Sequence, residues 1–318
     1  MTLTEARHRL EYAIVMTVRA LAGGLPGPLS RAMGTTIGWV FYLVDGGHRR
    51  LAQDQLAAAF PTRSQRECRR IAQQTFLHFG RMIVAVLRAS TQSPGELLRD
   101  IEVEGEERVR AALAGGRGVI FFAGHFGFWE LHALVHGLVA PPLAVLARPL
   151  DNRLLEGMLE RMRTSTGNTV IYRQGAIRKV LRVLEANGGV AIPIDQHIQG
   201  TNAVRVDFFE RPASTTSAVA MLALRTGAPL IGVFALPLAG GRFRIIYEHP
   251  VELPPPESPD PVRELSQRCS DVLEMYVRRH PHLWLWMHRR WRDMPSGATE
   301  EVRDMFPAPA PEESEAPE

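Results

Sequence analysis

The 318-residue sequence has little cysteine, almost no lysine and no long uncharged apolar run. Its two cysteines, Cys68 and Cys269, lie far apart and lack metal-ligand spacing. That argues against a disulfide framework and for a reducing compartment. Lys179 is the only lysine among 37 basic residues, so arginine carries the basic balance, at a formal net charge of +3. Arginine-favouring codons of a GC-rich genome account for such a bias. A guanidinium-rich surface nevertheless suits phosphate-bearing partners such as anionic lipid headgroups or acidic carrier proteins.

No stretch is long enough and free enough of charge to span a bilayer comfortably. Arg7, His8 and Arg9 precede apolar residues, but Glu11 and Arg19 interrupt them and no cleavage site follows, so no signal peptide is expected. The best membrane candidate is Ala32 to Val44, thirteen residues between Arg31 and Asp45 that include Trp39, Phe41 and Tyr42. That length fits a helix lying in the interface with its aromatics at headgroup depth, or one buried against the rest of the protein. A hydrophobic fraction of 45% with 22% charged residues is globular and suggests one principal domain with additions.

Residues 1–100 read as an N-terminal helical, membrane-facing region. Helices are expected over Thr4 to Ala22, Leu29 to Val44, Leu51 to Ala59 and Ser64 to Arg88, broken at Pro26, Pro28, Gly46, Gly47 and Pro61. From Ile101 short apolar runs alternate with amphipathic stretches. Strands are expected at 119–123, 143–147, 169–172, 190–194, 205–209, 230–236 and 243–247, with helices at 128–139, 151–165, 176–186 and 213–226. Such alternation predicts an α/β domain over 101–294, a mixed, largely parallel sheet flanked by helices. Residues 295–318 read as a disordered acidic tail of proline, alanine and glutamate.

The stretch most suited to chemistry is Gly124-His125-Phe126-Gly127-Phe128-Trp129-Glu130-Leu131, a strand-to-helix turn. On a continuous helix His125 and Glu130 would point about 140° apart. If the chain turns through His-Phe-Gly first, the glutamate reaches back to one ring nitrogen and the other is free to take a proton from a hydroxyl. The turn holds no serine or cysteine, so the nucleophile would be the substrate's own alcohol. Free N–H groups at the helix start would suit a nearby oxyanion. The plain reading is a loop histidine and an acid placed to suit the helix dipole.

His125, Arg148 and Asp195 each follow a predicted strand, and ligand sites of parallel sheets gather at the strands' carboxyl ends. Asp195, in Pro-Ile-Asp-Gln-His, is an alternative orienter of His125; sequence does not choose between the two acids. Arg148 is presented before Pro149 and suits a phosphate contact, against a surface ion pair. Asn152 reads from its position as a first-turn residue of the next helix. Arg211 is a headgroup candidate. His197 reads as a solvated loop residue, and Thr215 and Thr216 as helix-capping hydroxyls. Trp284, Trp286, Trp291, Arg289 and Arg290 suit either an interfacial surface or a packed helix. His132 and His136 are four apart, but Glu130 precedes them, so His-Glu-x-x-His is not met and packing is favoured over metal.

The block Gly-His-Phe-Gly-Phe-Trp-Glu-Leu resembles the His-x4-acid block of the bacterial lipid A biosynthesis acyltransferase family, including its phosphatidylinositol mannoside acyltransferase-like members. The resemblance continues in order through Arg148-Pro149-Leu150-Asp151-Asn152, Asp195-Gln196, Val206-Asp207-Phe208-Phe209 with Pro212-Ala213-Ser214-Thr215, and Leu285 to Trp291, covering roughly residues 30–292. Two departures are a glutamate, Glu210, where a glycine is expected, and the lack of a clean N-terminal span.

The resemblance implies an O-acyltransferase that moves a fatty acyl group from acyl carrier protein or a coenzyme A thioester to a hydroxyl of an anionic membrane glycolipid. It implies work at the cytoplasmic face of the inner membrane, peripheral or monotopic, without metal, further cofactor or nucleic acid. In that reading His125 is general base, Glu130 or Asp195 its orienter, and Arg148, Asn152 and Arg211 bind substrate. The same pair acting on water would make a hydrolase, and a fold without turnover would make a lipid-binding adaptor.

Overall fold

The computed structural model describes residues 2–172 and 175–292. The expected acidic tail lies outside them. Four helices come first: α1 (Leu3–Gly24), α2 (Gly27–Val44), α3 (Gly46–Ala59) and α4 (Gln65–Ala89). Then follow α5 (Pro94–Arg99), β1 (Ile101–Glu104), α6 (Glu106–Ala114), β2 (Val119–Ala123), α7 (Trp129–Val139), β3 (Leu143–Ala147), α8 (Arg153–Thr164), β4 (Thr169–Tyr172), α9 (Ala176–Glu185) and β5 (Gly189–Pro193). The remainder comprises β6 (Ala203–Asp207), β7 (Pro212–Thr216), α10 (Ala218–Thr226), β8 (Leu230–Pro237), β9 (Phe243–Pro250) and α11 (Pro261–Arg279).

Local chemistry sets the helix starts. Thr2 with Glu5, Ser64 with Glu67 and Ser93 with Glu96 form reciprocal capping boxes that satisfy orphan N–H groups at the heads of α1, α4 and α5. Along α2, Gly34 and Gly38 let its backbone rest on α4: a Cβ on Gly38 would fall 2.4 Å from the Phe76 carbonyl oxygen. The opposite faces of α1 and α2 stay open. Leu10, Ile14 and Leu21 on α1 and Val40, Leu43 and Val44 on α2 are exposed, Val44 to 79%. Thus Ala32 to Val44 both packs along one side and presents apolar side chains on the other. Among the described residues no helix is long and apolar enough to cross a membrane.

Seven strands form the main sheet in the order β1-β9-β8-β2-β5-β3-β4. All neighbours run parallel except β8 and β9, which form an antiparallel pair. The expected mixed, largely parallel sheet is therefore present. Val119 to Phe122, Val190, Ile192, Leu230 and Ile231 are buried in its middle, the near-continuous apolar pattern of strands covered on both faces. Helix α7 packs against β3 and β8 and is backed by α4 and α8, while α10 and α11 pack on each other and reach β2 and β8.

Two expectations need correction. The strand expected at 205–209 is not in the main sheet; β6 pairs with β7 in a separate antiparallel hairpin. The helix expected from 213 starts only at Ala218, because Pro212 to Thr216 is the second strand of that hairpin. Proline is tolerated at the first residue of a strand, where its missing N–H leaves no ladder bond broken. Phe209 and Glu210, at the tip between the Phe208 and Arg211 partners, both have φ of 56°. Positive φ at both central positions is the mark of a type I′ turn, which favours glycine or asparagine and explains why glutamate at 210 looked out of place.

Candidate active site

The site follows from strand register. In the parallel pair β2–β5, Ala123 lies opposite Pro193, and the ladder runs one bond further, Ile194 N–H to the Ala123 carbonyl at 2.9 Å. His125 and Asp195 are each two residues beyond those strand ends. Equal overhang on adjacent central strands brings the two side chains together at the sheet's carboxyl edge. The Asp195 Oδ1 lies 2.8 Å from His125 Nδ1, and its Oδ2 accepts the His125 backbone N–H at 2.7 Å. A third donor comes from the distant C-terminal segment: Trp284 Nε1–H donates to Oδ2 at 2.9 Å.

The turn that carries His125 is held from three directions. The Leu285 N–H donates to the His125 carbonyl at 3.0 Å, Gly127 N–H to the Leu283 carbonyl at 2.9 Å, and Phe128 N–H to the Ala235 carbonyl of β8 at 2.8 Å. From α4, His78 Nε2 bonds the Gly127 carbonyl at 3.0 Å; burial pushes that imidazole down to about 3, so it is neutral and Nε2 donates. Gly127 is required here. Its φ is +61°, and a Cβ would stand 2.0 Å from the Ala235 carbonyl oxygen.

Electrostatics pair the two groups. Burial alone would raise the Asp195 carboxyl, which is 3% exposed, but the His125 charge and hydrogen bonds, with the Trp284 donor, hold it well below the usual carboxylate range. Burial alone would lower the His125 ring, yet the Asp195 carboxylate outweighs it and the net shift is upward. Asp195 is thus an anion at neutral pH and accepts Nδ1–H, which leaves Nε2 of the neutral ring as an acceptor. About 20% of the His125 side chain remains accessible. Gln196 Nε2 approaches His125 Nε2 at 3.4 Å, and the edge of Trp129 packs beside the ring. Such an imidazole can accept a proton from a hydroxyl and return it to a leaving group.

Glu130 does not bond His125. It forms a two-pronged ion pair with Arg163 of α8, at 2.7 and 2.8 Å, and both side chains are largely buried. Its charge is still felt at His125, where it favours the protonated ring while Arg163 opposes it. Of the two acids left open by sequence, the geometry places Asp195 on the ring and Glu130 on an arginine.

Arg148 follows β3 directly, on the same carboxyl edge, and is exposed; among the described residues its one ion pair is with Asp151, at 4.0 Å. Asn152 is corrected to a packing role: it is buried, its Oδ1 caps α8 through the N–H groups of Leu154 and Leu155, and its Nδ2 donates to the His8 carbonyl and Glu11 of α1. All four of its hydrogen-bonding positions are used, leaving none for a ligand. The Arg211 guanidinium lies 5.8 Å from the Trp291 ring centroid, with its Nε buried.

Further readings are revised by the same geometry. Trp284, Trp286 and Trp291 are buried, in a non-helical segment, and form neither an interfacial surface nor a packed helix. The Thr215 hydroxyl donates to the Ile194 carbonyl, next to Asp195, instead of capping a helix; Thr216 does accept the Ala218 N–H at 3.2 Å. His197 lines a cavity and is half-buried. His132 and His136 bond each other at 3.2 Å and share Tyr247, which places its hydroxyl 2.8 Å from His136 Nδ1. Burial keeps both imidazoles neutral. Among the described residues no group of three or more potential ligands is arranged to hold a metal.

Arg163, and the role of Trp284 as a donor to Asp195, were missed from sequence, since each meets its acid across a long stretch of chain. The only local signal was the Leu-Trp-Leu-Trp alternation at 283–286, a pattern of extended chain with one buried face.

Comparison with known proteins identifies the family. The family model for bacterial lipid A biosynthesis acyltransferases matches residues 2–293. The chain is 25% identical over 275 residues to the lipid A biosynthesis palmitoleoyltransferase of Escherichia coli K12, covering 86% of this chain and 88% of the relative. It is 24% identical over 285 residues to the lipid A biosynthesis acyltransferase of Haemophilus influenzae, covering 88% and 89%. To the lipid A biosynthesis lauroyltransferase of Escherichia coli K12 it is 25% identical over 274 residues, covering 86% and 88%. A match across nearly all the described residues shows that the chain belongs to the bacterial lipid A biosynthesis acyltransferase family and is an acyltransferase.

Proposed function

We propose that this acyltransferase moves a fatty acyl group from a thioester, carried by acyl carrier protein or coenzyme A, to a hydroxyl of a lipid A-type glycolipid, with His125 as general base and Asp195 as its orienter. The observation that carries this reading is the buried Asp195 carboxylate fixed by three donors, one of them the ring nitrogen of a partly accessible histidine.

In the reaction, His125 Nε2 takes the proton of the acceptor hydroxyl as its oxygen attacks the thioester carbonyl. The ring becomes cationic against the Asp195 carboxylate, and the carbonyl oxygen becomes an oxyanion that the first-turn N–H groups of α7 are suited to stabilise. As the tetrahedral intermediate collapses, the C–S bond breaks and the imidazolium returns its proton to the thiolate. The products are an ester and a free thiol, with no acyl-enzyme, metal or further cofactor in the sequence.

Glu130, through Arg163, braces α7 against α8 and so fixes the base of the turn. Arg148 is the proposed phosphate contact at the same edge, since it is exposed and only loosely paired. The apolar faces of α1 and α2 support peripheral attachment to the cytoplasmic face of the inner membrane, where such acceptors are made accessible.

The test is a reconstituted assay with acyl carrier protein and coenzyme A thioesters in parallel and a lipid A precursor as acceptor, read by mass spectrometry. Wild-type protein should form acylated glycolipid, and the His125→Ala variant should bind donor but not turn over. Free fatty acid released equally well without acceptor would replace this reading with a hydrolase; undiminished transfer by His125→Ala would remove the base.

A further inference from the structure

Beside the proposed base lies a second feature. A cavity of about 350 Å³, within the range of small-ligand sites, opens between the β6–β7 hairpin, the loop after Asp195 and the C-terminal segment. It begins at His197, two residues beyond Asp195. Arg205, Arg290 and Arg292 line it, together with Trp291 and Ser214, and no carboxylate is among its lining residues.

Arg290 is the unusual member, 1% exposed. One guanidinium N–H group donates to the Ser214 carbonyl, while Nε has no hydrogen-bond partner among the described residues. Neither Arg290, Arg205 nor Arg292 has a carboxylate within ion-pair distance among those residues. Trp291, also buried, points to a second orphaned donor, its Nε1–H. A buried guanidinium that feels the Asp195 carboxylate only from beyond ion-pair distance, and a neighbouring unpaired indole N–H, are costly unless an acceptor anion completes them. Burial accordingly pushes the Arg290 guanidinium down to about 10.

We infer that this cavity is a phosphate-binding subsite, in which Arg290 and Trp291 donate to the anion from the floor and Arg205 and Arg292 neutralise it from the rim. Guanidinium groups match phosphate oxygens in geometry as well as charge. Its assignment to a substrate rests on the acyl-transfer reading: the anion is a phosphate of the thioester donor or of the glycolipid, held beside the reacting centre. The binding itself does not depend on that reading.

Titration calorimetry on the full chain, with inorganic phosphate, 3′-phosphoadenosine 5′-phosphate and glucosamine 1-phosphate as separate probes, tests it. Phosphate should bind saturably and more weakly as salt rises. The rim double variant R205E/R292E, which leaves the buried floor intact, should weaken binding by about tenfold or more. W291F, which keeps an aromatic side chain but replaces the indole and its N–H by a phenyl ring, should weaken it by a smaller factor. Tighter binding of the nucleotide assigns the subsite to a coenzyme A donor, and tighter binding of the sugar phosphate assigns it to the glycolipid. Absence of saturable phosphate binding, or binding equal in wild type and R205E/R292E, overturns the inference. His125→Ala serves as control: loss of transfer with phosphate binding intact separates failure of the base from failure of the subsite.

Discussion

Asp195→Asn is the sharpest perturbation, because it keeps shape and turns one acceptor into a donor. Two N–H groups, from Trp284 and the His125 backbone, already aim at Oδ2, so the new amide must place its oxygen there. Its NH₂ then occupies the Oδ1 position, 2.8 Å from Nδ1. Facing a donor, Nδ1 must accept, the ring proton moves to Nε2, and the nitrogen meant to take the substrate proton is already protonated. The stabilisation of the cationic ring is lost as well. At 2.8 Å and an effective dielectric near 20, the charge pair contributes about 6 kcal/mol, an upper bound equivalent to roughly four orders of magnitude in rate. Loss of the orienting carboxylate in a serine-protease triad has a similar size for the same tautomeric reason. The expected result is kcat down by about 10⁴ with the circular dichroism spectrum and the KM for donor little changed. A folded Asp195→Asn enzyme with kcat within about tenfold of wild type would refute the tautomer argument.

Other residues make separate predictions. Glu130→Gln and Arg163→Gln should each lower turnover through loss of the α7–α8 brace, and a double-mutant cycle should show coupling of about 1–3 kcal/mol; additive effects would mean that the pair does not act together. Gly127→Ala should destabilise by about 3 kcal/mol or more in urea unfolding, since its Cβ cannot coexist with the Ala235 carbonyl; a wild-type midpoint would contradict the geometry of the turn. Glu210→Gly should raise stability by about 0.5–1 kcal/mol, the left-handed strain relieved less the added chain entropy of glycine; a lower melting temperature would exclude the strain.

How much of this was legible in the sequence depended on how local the determinants are. The strands β2, β3, β4, β5, β8 and β9 could be read because each is a short apolar run, and a buried parallel strand needs no partner to declare itself. Strand β1, Ile-Glu-Val-Glu, was missed: it is a four-residue edge strand paired on one side only, half of it charged. Strand β7, Pro-Ala-Ser-Thr-Thr, carries no hydrophobic run and took the look of a helix start, though hairpin pairing with β6 decides it.

At the site, His125 was singled out because its turn is contiguous in sequence. The choice between Glu130 and Asp195 stayed open because it depends on β2–β5 register, which spacing along one chain does not encode. Arg148 was placed at the same edge by the strand-end rule. Asn152 carried the right motif position, but its partners on α1 lie more than a hundred residues away and bind it to packing instead. The C-terminal tryptophans looked suited to a membrane surface by composition, whereas Trp284 is buried as a donor to Asp195.

In the proposed reaction a neutral His125, held by the Asp195 anion, takes the proton from the acceptor. The direct measurement is kcat/KM for acyl transfer against pH from about 5 to 9. Because Asp195 raises the affinity of the ring for its proton, the inactive protonated form persists to higher pH than in an ordinary histidine. A one-proton acidic limb centred above about 6.5 is expected, with rate rising as pH increases through it. A rate that stays flat down to about pH 5 would contradict it.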